Sequence, residues 1–263
     1  MSGHSKWAKI KRQKGANDLK KGAVFTKLAR NITLAAKEGG GEINSNFALR
    51  LAVTKAKDMN MPMNNIERAI QKGTGSGEKI ALQKISYEII APGGINIIVD
   101  CQSDNTNRTF SEVKNIVDKM GAKITSAGSI SWQFSEKGYI ALSSAKLQKS
   151  TQFGKKDSYD PVDPDTVQLE LMEIPGIEDL EVQKEMDLEL GAYIIEIYTS
   201  KEEFSKVLKN LEALPYKIET AELIKKAKEN LSIAAGVKIK IENLLEALEN
   251  LDDVDNVWSN LQE

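Results

Sequence analysis

The chain has 263 residues, of which 41% are apolar, with 36 Lys/Arg against 38 Asp/Glu, one histidine and one cysteine; that length supports two or three domains. A lone Cys101 rules out an intrachain disulfide and a cysteine zinc cluster, and a lone His4 rules out histidine metal sites and leaves triad chemistry only a histidine four residues into the sequence. No apolar run reaches the roughly 20 residues of a membrane span, and the opening Met1-Ser2-Gly3-His4-Ser5-Lys6 has no signal-peptide core, so a cytoplasmic protein with no membrane partner is expected.

The near-neutral total hides a division. Residues 1–79 hold 16 basic and 6 acidic side chains, net +10, whereas residues 80–263 hold 20 and 32, net −12. A strongly basic end in an otherwise acidic chain points to a polyanion, and phosphate backbone is the commonest one.

The first segment in chain order is Ser2-Gly3-His4-Ser5-Lys6-Trp7-Ala8-Lys9-Ile10-Lys11-Arg12-Gln13-Lys14-Gly15. Lys6, Lys9, Lys11, Arg12 and Lys14 are suited to phosphate, and the small residues among them admit backbone N–H contacts. Trp7 can stack on a base or ribose, or instead fold onto the helices that follow. His4 is a further candidate donor.

Val24, Phe25, Leu28, Ile32 and Ala35 recur at helical steps from residue 18 to 37. Lys20, Lys27, Arg30 and Lys37 fall mostly on the opposite side and form an expected basic band. Gly39-Gly40-Gly41 ends this helix. A second helix is expected over residues 45–57, and a third from Pro62 to Gly73, with proline at its first position. Residues 73–77, Gly-Thr-Gly-Ser-Gly, read as a flexible link; the Gly-Lys-Ser/Thr ending of a phosphate-binding loop is missing.

Beyond the link the period shortens to two. Ile85, Tyr87 and Ile89 alternate, Pro92-Gly93-Gly94 turns, and residues 95–101 form a second strand, a hairpin with Cys101 as an inert core thiol. Val113, Ile116, Val117 and Met120 mark a helix capped by Asn107 or a neighbour. Asn105, Asn107 and Arg108 form a polar cluster at its start, explicable by capping or by a ligand. Ile130, Trp132 and Phe134 alternate as on a strand.

Residues 138–224 read as β-α-β-β-α-β: strands at 139–142, around Leu180 and Val182, at 186–198 with a bend near Gly191, and at 216–223, with helices at 164–174 and 204–214. This is a ferredoxin-like pattern. Residues 149–164 read as an exposed polar loop. A last helix (Ile241, Leu244, Leu245, Leu248, Leu251) and strand (254–258) cannot stand alone and are expected to complete the sheet begun at residue 85. The acids Glu242, Glu246, Glu249, Asp252, Asp253 and Asp255 read as a solvated face that repels nucleic acid.

The fold class is therefore α+β in three domains: a basic helical domain (1–77), a discontinuous α/β middle domain (80–134 and 236–263) and an inserted ferredoxin-like domain (135–235). The opening string resembles that of the YebC family of probable transcriptional regulators, which includes the mitochondrial translational activator of cytochrome oxidase subunit one. The resemblance continues through Phe25-Thr26-Lys27-Leu28-Ala29-Arg30, Asn60-Met61-Pro62, Asn65-Ile66-Glu67-Arg68-Ala69-Ile70, Lys72-Gly73-Thr74-Gly75, Tyr87-Glu88, Pro92-Gly93-Gly94 and Asp104-Asn105-Thr106-Asn107-Arg108-Thr109. It is dense to residue 134 and a matter of layout beyond. Met63, Asn64, Thr106, the length of 146–165 and Glu173-Ile174-Pro175-Gly176 depart from the family pattern.

The resemblance implies the interrupted middle domain and a non-enzymatic nucleic-acid-binding regulator. The leading expectation is a DNA-binding transcriptional regulator. The alternative is a ribosome-associated translation factor on ribosomal or messenger RNA. No helix-turn-helix signature names a base-reading helix. No cofactor or metal is expected, and a monomer is the simplest oligomeric state.

Overall fold

The computed structural model of the chain describes residues 18–75, 82–148, 158–183, 186–187 and 191–262. Its internal contacts divide it into two compact units, one built from the chain up to Ser135 and again from Lys226, the other from Glu136–Lys225.

Among the described residues the first unit has three successive helices before its sheet, α1 (Asp18–Gly39), α2 (Phe47–Asp58) and α3 (Met63–Gly73). Leu28, Ile32, Ala35, Leu49, Val53, Ile66 and Ala69 close over one another as their core, the helical spacing having placed each on the inward face. Asn46 ties two of the helices together. Its Oδ1 accepts from the Leu49 N–H at the start of α2 (3.1 Å), and its Nδ2 donates to the carbonyls of Ala35 (2.8 Å) and Gly40 (2.7 Å) at the end of α1. Pro62 stands one position before α3 rather than inside it. Gly73 is a packing residue: a Cβ there would lie 2.3 Å from the Thr33 carbonyl oxygen and 2.7 Å from the Ala36 methyl. The rest of the expected link, residues 76–81, lies outside the described residues.

The same unit continues into an antiparallel sheet of order β3-β1-β2-β9, with β1 Gln83–Ala91, β2 Ile95–Ser103, β3 Lys123–Thr125 and β9 Val254–Ser259. The β1–β2 hairpin runs in register from Gln83 opposite Ser103 to Ala91 opposite Ile95. Gly93 (φ 81°) and Gly94 (φ 77°) turn it in the left-handed region that glycine tolerates. Ile89, Ile97, Val99 and Cys101 bury one face against Val113 and Val117 of α4 (Thr106–Lys119) and Ile241, Leu244 and Leu248 of α7 (Ala235–Glu249). The C-terminal strand pairs with β2, as the lone helix and strand required. The chain rejoins this unit earlier than residue 236: Lys228 N–H donates to the Gln133 carbonyl and Leu231 N–H to the Asn260 carbonyl.

The expected strand through Ile130 and Trp132 is not one. Residues Ser131–Gln133 form a 3-10 turn, the strand starts at Phe134, and the short β3 precedes it. The Glu88 carboxylate is the physical reason: it captures the amides of Gly128, Ile130 and Ser131, which a strand would have directed to a ladder.

The second unit contains β4 (Phe134–Gln148), α5 (Pro164–Met172), β6 (Ile177–Val182), β7 (Ile194–Ser200), α6 (Phe204–Glu212) and β8 (Tyr216–Ala227). β7 and β8 both pair with β4, and β6 pairs with β7, which is the ferredoxin-like arrangement. Two expectations change here. Part of the supposed polar loop is a strand, β5 (Ser158–Pro161), paired with the end of β4; residues 149–157 lie outside the described set. The long strand proposed over 186–198 is a bridge between Asp187 and Ala192, a turn at Gly191 (φ 62°), and β7 proper. Among the described residues no helix is long and apolar enough to cross a membrane.

Candidate nucleic-acid interface

Of the expected phosphate contacts, His4, Lys6, Trp7, Lys9, Lys11, Arg12 and Lys14 lie outside the described residues, as does the side chain of Lys20. Lys37, Lys57, Arg68 and Lys72 stand exposed on the N-terminal helical domain. Arg50 lies over the Phe47 ring, 5.3 Å from its centroid.

Lys27 and Arg30 do not join a solvent-facing band. Lys27 Nζ donates to the Glu249 carbonyl at 2.7 Å. Arg30 donates to the Asp252 carbonyl (3.1 Å) and to Asp253 Oδ1 (2.8 Å). Burial holds the Lys27 ammonium below its usual value, against the opposing pull of Asp255, Asp252 and Glu249. One turn on, Asn31 donates to Asp255 Oδ1 (2.7 Å) and accepts from Gln102 Nε2. This polar edge of α1 is therefore a seam with the middle sheet.

Asp253 is the centre of that seam. Only 3% of it is exposed, and its carboxylate accepts from Arg30, from Arg108 (2.9 Å), from Ser103 Oγ (3.0 Å) and from Thr109 Oγ1 (2.7 Å). Burial would raise its pKa. The hydrogen bonds from Arg108, Thr109 and Ser103 and the charge of Arg30 override that and bring it to about 2. Three donors come from the stretch that ends β2 and begins α4, and the fourth from α1.

The polar cluster at the start of α4 thus has an internal occupation. Asn105, not Asn107, is the cap: its Oδ1 accepts the Arg108 N–H at 3.1 Å. Arg108 bridges Asp104 (3.0 Å) and Asp253. Asn107 is exposed and contributes its carbonyl to Ser111 Oγ at 2.8 Å. An open recess of about 490 Å³ is lined by Arg30, Arg108, Glu112, Asn250, Leu251, Asp252 and Asp253. Its acids answer both guanidinium groups, so it has no net pull on an anion. The acidic C-terminus is not uniformly a solvated face either, since Asp253 and Asp255 belong to the seam.

A second construction escaped the sequence reading. The buried Glu88 carboxylate accepts from the Gly128 (2.7 Å), Ile130 (2.6 Å) and Ser131 (3.2 Å) amides. Burial opposes its ionisation, but these amides, together with the Ser131 side chain, outweigh that and lower its pKa. The loop so formed carries Trp132, 65% exposed, with its indole N–H on the Ser129 carbonyl at 2.9 Å. The available signal was charge: residues 119–135 contain two lysines and no acid.

Burial, and next Asp100 and other nearby acids, push the Cys101 thiol up to about 12, which leaves it no nucleophilic thiolate. Among the described residues no group of His, Cys, Asp and Glu could hold a metal ion.

Residues 5–76 match the family model described as the TACO1/YebC protein N-terminal domain, and residues 82–261 match that of the TACO1/YebC second and third domain. Proteins named "Probable transcriptional regulatory protein" are similar over their whole lengths. That of Bacillus licheniformis is 38% identical, covering 99% of this chain and 100% of the relative. That of Borreliella burgdorferi is 41% identical, covering 100% and 98%. The crystal structure of a conserved hypothetical protein from Aquifex aeolicus superposes with a TM-score of 0.78 at 34% identity, covering 93% of this chain and 91% of that one.

Proposed function

Because the chain belongs to the TACO1/YebC family, we propose that it is a non-enzymatic regulator of gene expression that binds nucleic acid through its N-terminal helical domain. The observation that carries this reading is the charge division: net +10 over residues 1–79 against −12 over the rest. Such a segment gains free energy by displacing counterions from a phosphate backbone, while the acidic remainder is repelled by it. The names of the relatives support a transcriptional role.

The proposed contacts are His4, Lys6, Trp7, Lys9, Lys11, Arg12, Lys14 and Lys20, extended by the exposed Lys37, Lys57, Arg68 and Lys72. Lys27 and Arg30 leave the set because the seam employs them. Arg108 leaves it because it is bound to Asp253, and Asn105 because it caps α4.

A second reading, a translation factor on ribosomal or messenger RNA, is favoured by Trp7 set among cations, since aromatic stacking suits unpaired bases. Sucrose-gradient fractionation of a lysate separates the two. Co-migration with ribosomes that survives DNase and is lost in high salt supports the translation reading. Absence from ribosomal fractions, with retention on specific promoter fragments, supports the transcriptional one.

A further inference from the structure

Trp132 leaves 65% of its surface in water and so forgoes most of what burial would give an indole, yet the loop that presents it is held by several hydrogen bonds. The Glu88 carboxylate secures three backbone amides beneath it. Ile130, two residues away, is buried as an anchor, and Ser129 takes the indole N–H. With its N–H satisfied, the exposed indole offers its π-face as the available surface. Among the described residues no aromatic side chain is as exposed.

The surroundings decide what that face meets. From residue 119 to 135 the chain carries Lys119 and Lys123, both exposed, and no acid, inside a portion that is otherwise net acidic. Lys228, also exposed, is tied to the residue next to Trp132 by its N–H, which donates to the Gln133 carbonyl at 2.9 Å. An open aromatic face on an acid-free, lysine-bearing stretch bounded by Asp118 and Glu136 fits a partner that is both flat and anionic.

We propose that Trp132 is a stacking contact for an unpaired base of a single-stranded nucleic acid, with Lys228 neutralising the adjoining backbone. This extends the binding surface from the basic helical domain to the middle domain, and it rests on the nucleic-acid reading above. Base–aromatic stacking tolerates any sequence because every base has a π-face.

The test uses the full chain and a fluorescein-labelled, mixed-sequence single-stranded RNA, with the paired duplex of the same sequence as comparison. Trp132→Ala is expected to weaken single-strand binding about fivefold to a hundredfold while leaving the salt dependence unchanged. Trp132→Phe should recover most of the loss, and the duplex should be nearly indifferent. Lys228→Ala should lower the single-strand salt slope by about 0.7. Trp132 is exposed, so these variants keep the fold, and their circular dichroism verifies it. Wild-type affinity in Trp132→Ala, alongside weakened binding in Lys9→Ala and Arg12→Ala, overturns this inference alone and reassigns the ring to a protein partner. No binding by the wild-type chain overturns both this inference and the function it rests on.

Discussion

Asp253 and Glu88 are both buried acids of the same unit, both held ionised, and they solve different problems. Asp253 is met by side chains from two segments far apart in sequence, Arg30 on α1 and Ser103, Arg108 and Thr109 about the start of α4. It locks a helical domain to a sheet. Glu88 is met by main-chain amides of one loop and shapes a single feature, the turn that carries Trp132. A carboxylate satisfied by side chains joins elements, whereas one satisfied by amides bends a backbone. The first kind withdraws cations from any outside ligand; the second leaves its loop's side chains free to face one.

The comparison can be broken by mutation. Asp253→Ala strips four donors of their acceptor and should cost about 3 kcal/mol of unfolding free energy in urea, with faster amide exchange along α1. A loss under 1 kcal/mol would mean that the seam is not a lock. Glu88→Gln should cost about 2 kcal/mol, and the faster exchange should be confined to Gly128, Ile130 and Ser131. Exchange that spreads into α1 would erase the distinction between the two sites.

Acid sharpens it further. The Asp253 pKa falls from 3.8 unfolded to about 2 folded, so its stabilisation is complete above the unfolded value and is lost as pH drops through the folded one. Wild type should exceed Asp253→Asn by about 2 kcal/mol at neutral pH, and the gap should close between about pH 4 and 2. Glu88 is lowered in the same direction, so its gap to Glu88→Gln should also narrow in acid. A gap that persists at pH 2 would assign the Asp253 effect to shape rather than charge. The smallest effect is expected at Lys27: the desolvation of its ammonium offsets its bond to Glu249, so Lys27→Met should change stability by less than about 1 kcal/mol.

How much of this was legible follows from the range of each interaction. Periodicity marked the helical core, since Leu28, Ile32 and Ala35 need only their own helix to share a face. It also marked the β1–β2 hairpin and the return of the last strand, because a strand without a partner must find a sheet edge. The alternation at Ile130, Trp132 and Phe134 misled, because the amides that decide it answer to Glu88, some forty residues earlier. Lys27 and Arg30 looked like a phosphate face for the same reason: nothing within α1 announces that Glu249 and Asp253 lie against it. The cap was narrowed only to Asn107 or a neighbour, since Asn105 and Asn107 are both good caps and only the backbone selects Asn105.

The central claim is that the basic N-terminal segment binds phosphate while Lys27 and Arg30 of α1 are engaged in the seam and do not. The salt dependence of nucleic-acid affinity tests it most directly, in wild type, Lys9→Ala, Arg12→Ala and Lys27→Met. The account predicts that the slope of log K against log salt falls by about one for Lys9→Ala and for Arg12→Ala, and that Lys27→Met keeps the wild-type slope. An unchanged slope in the first two, or a reduced one in Lys27→Met, would contradict it.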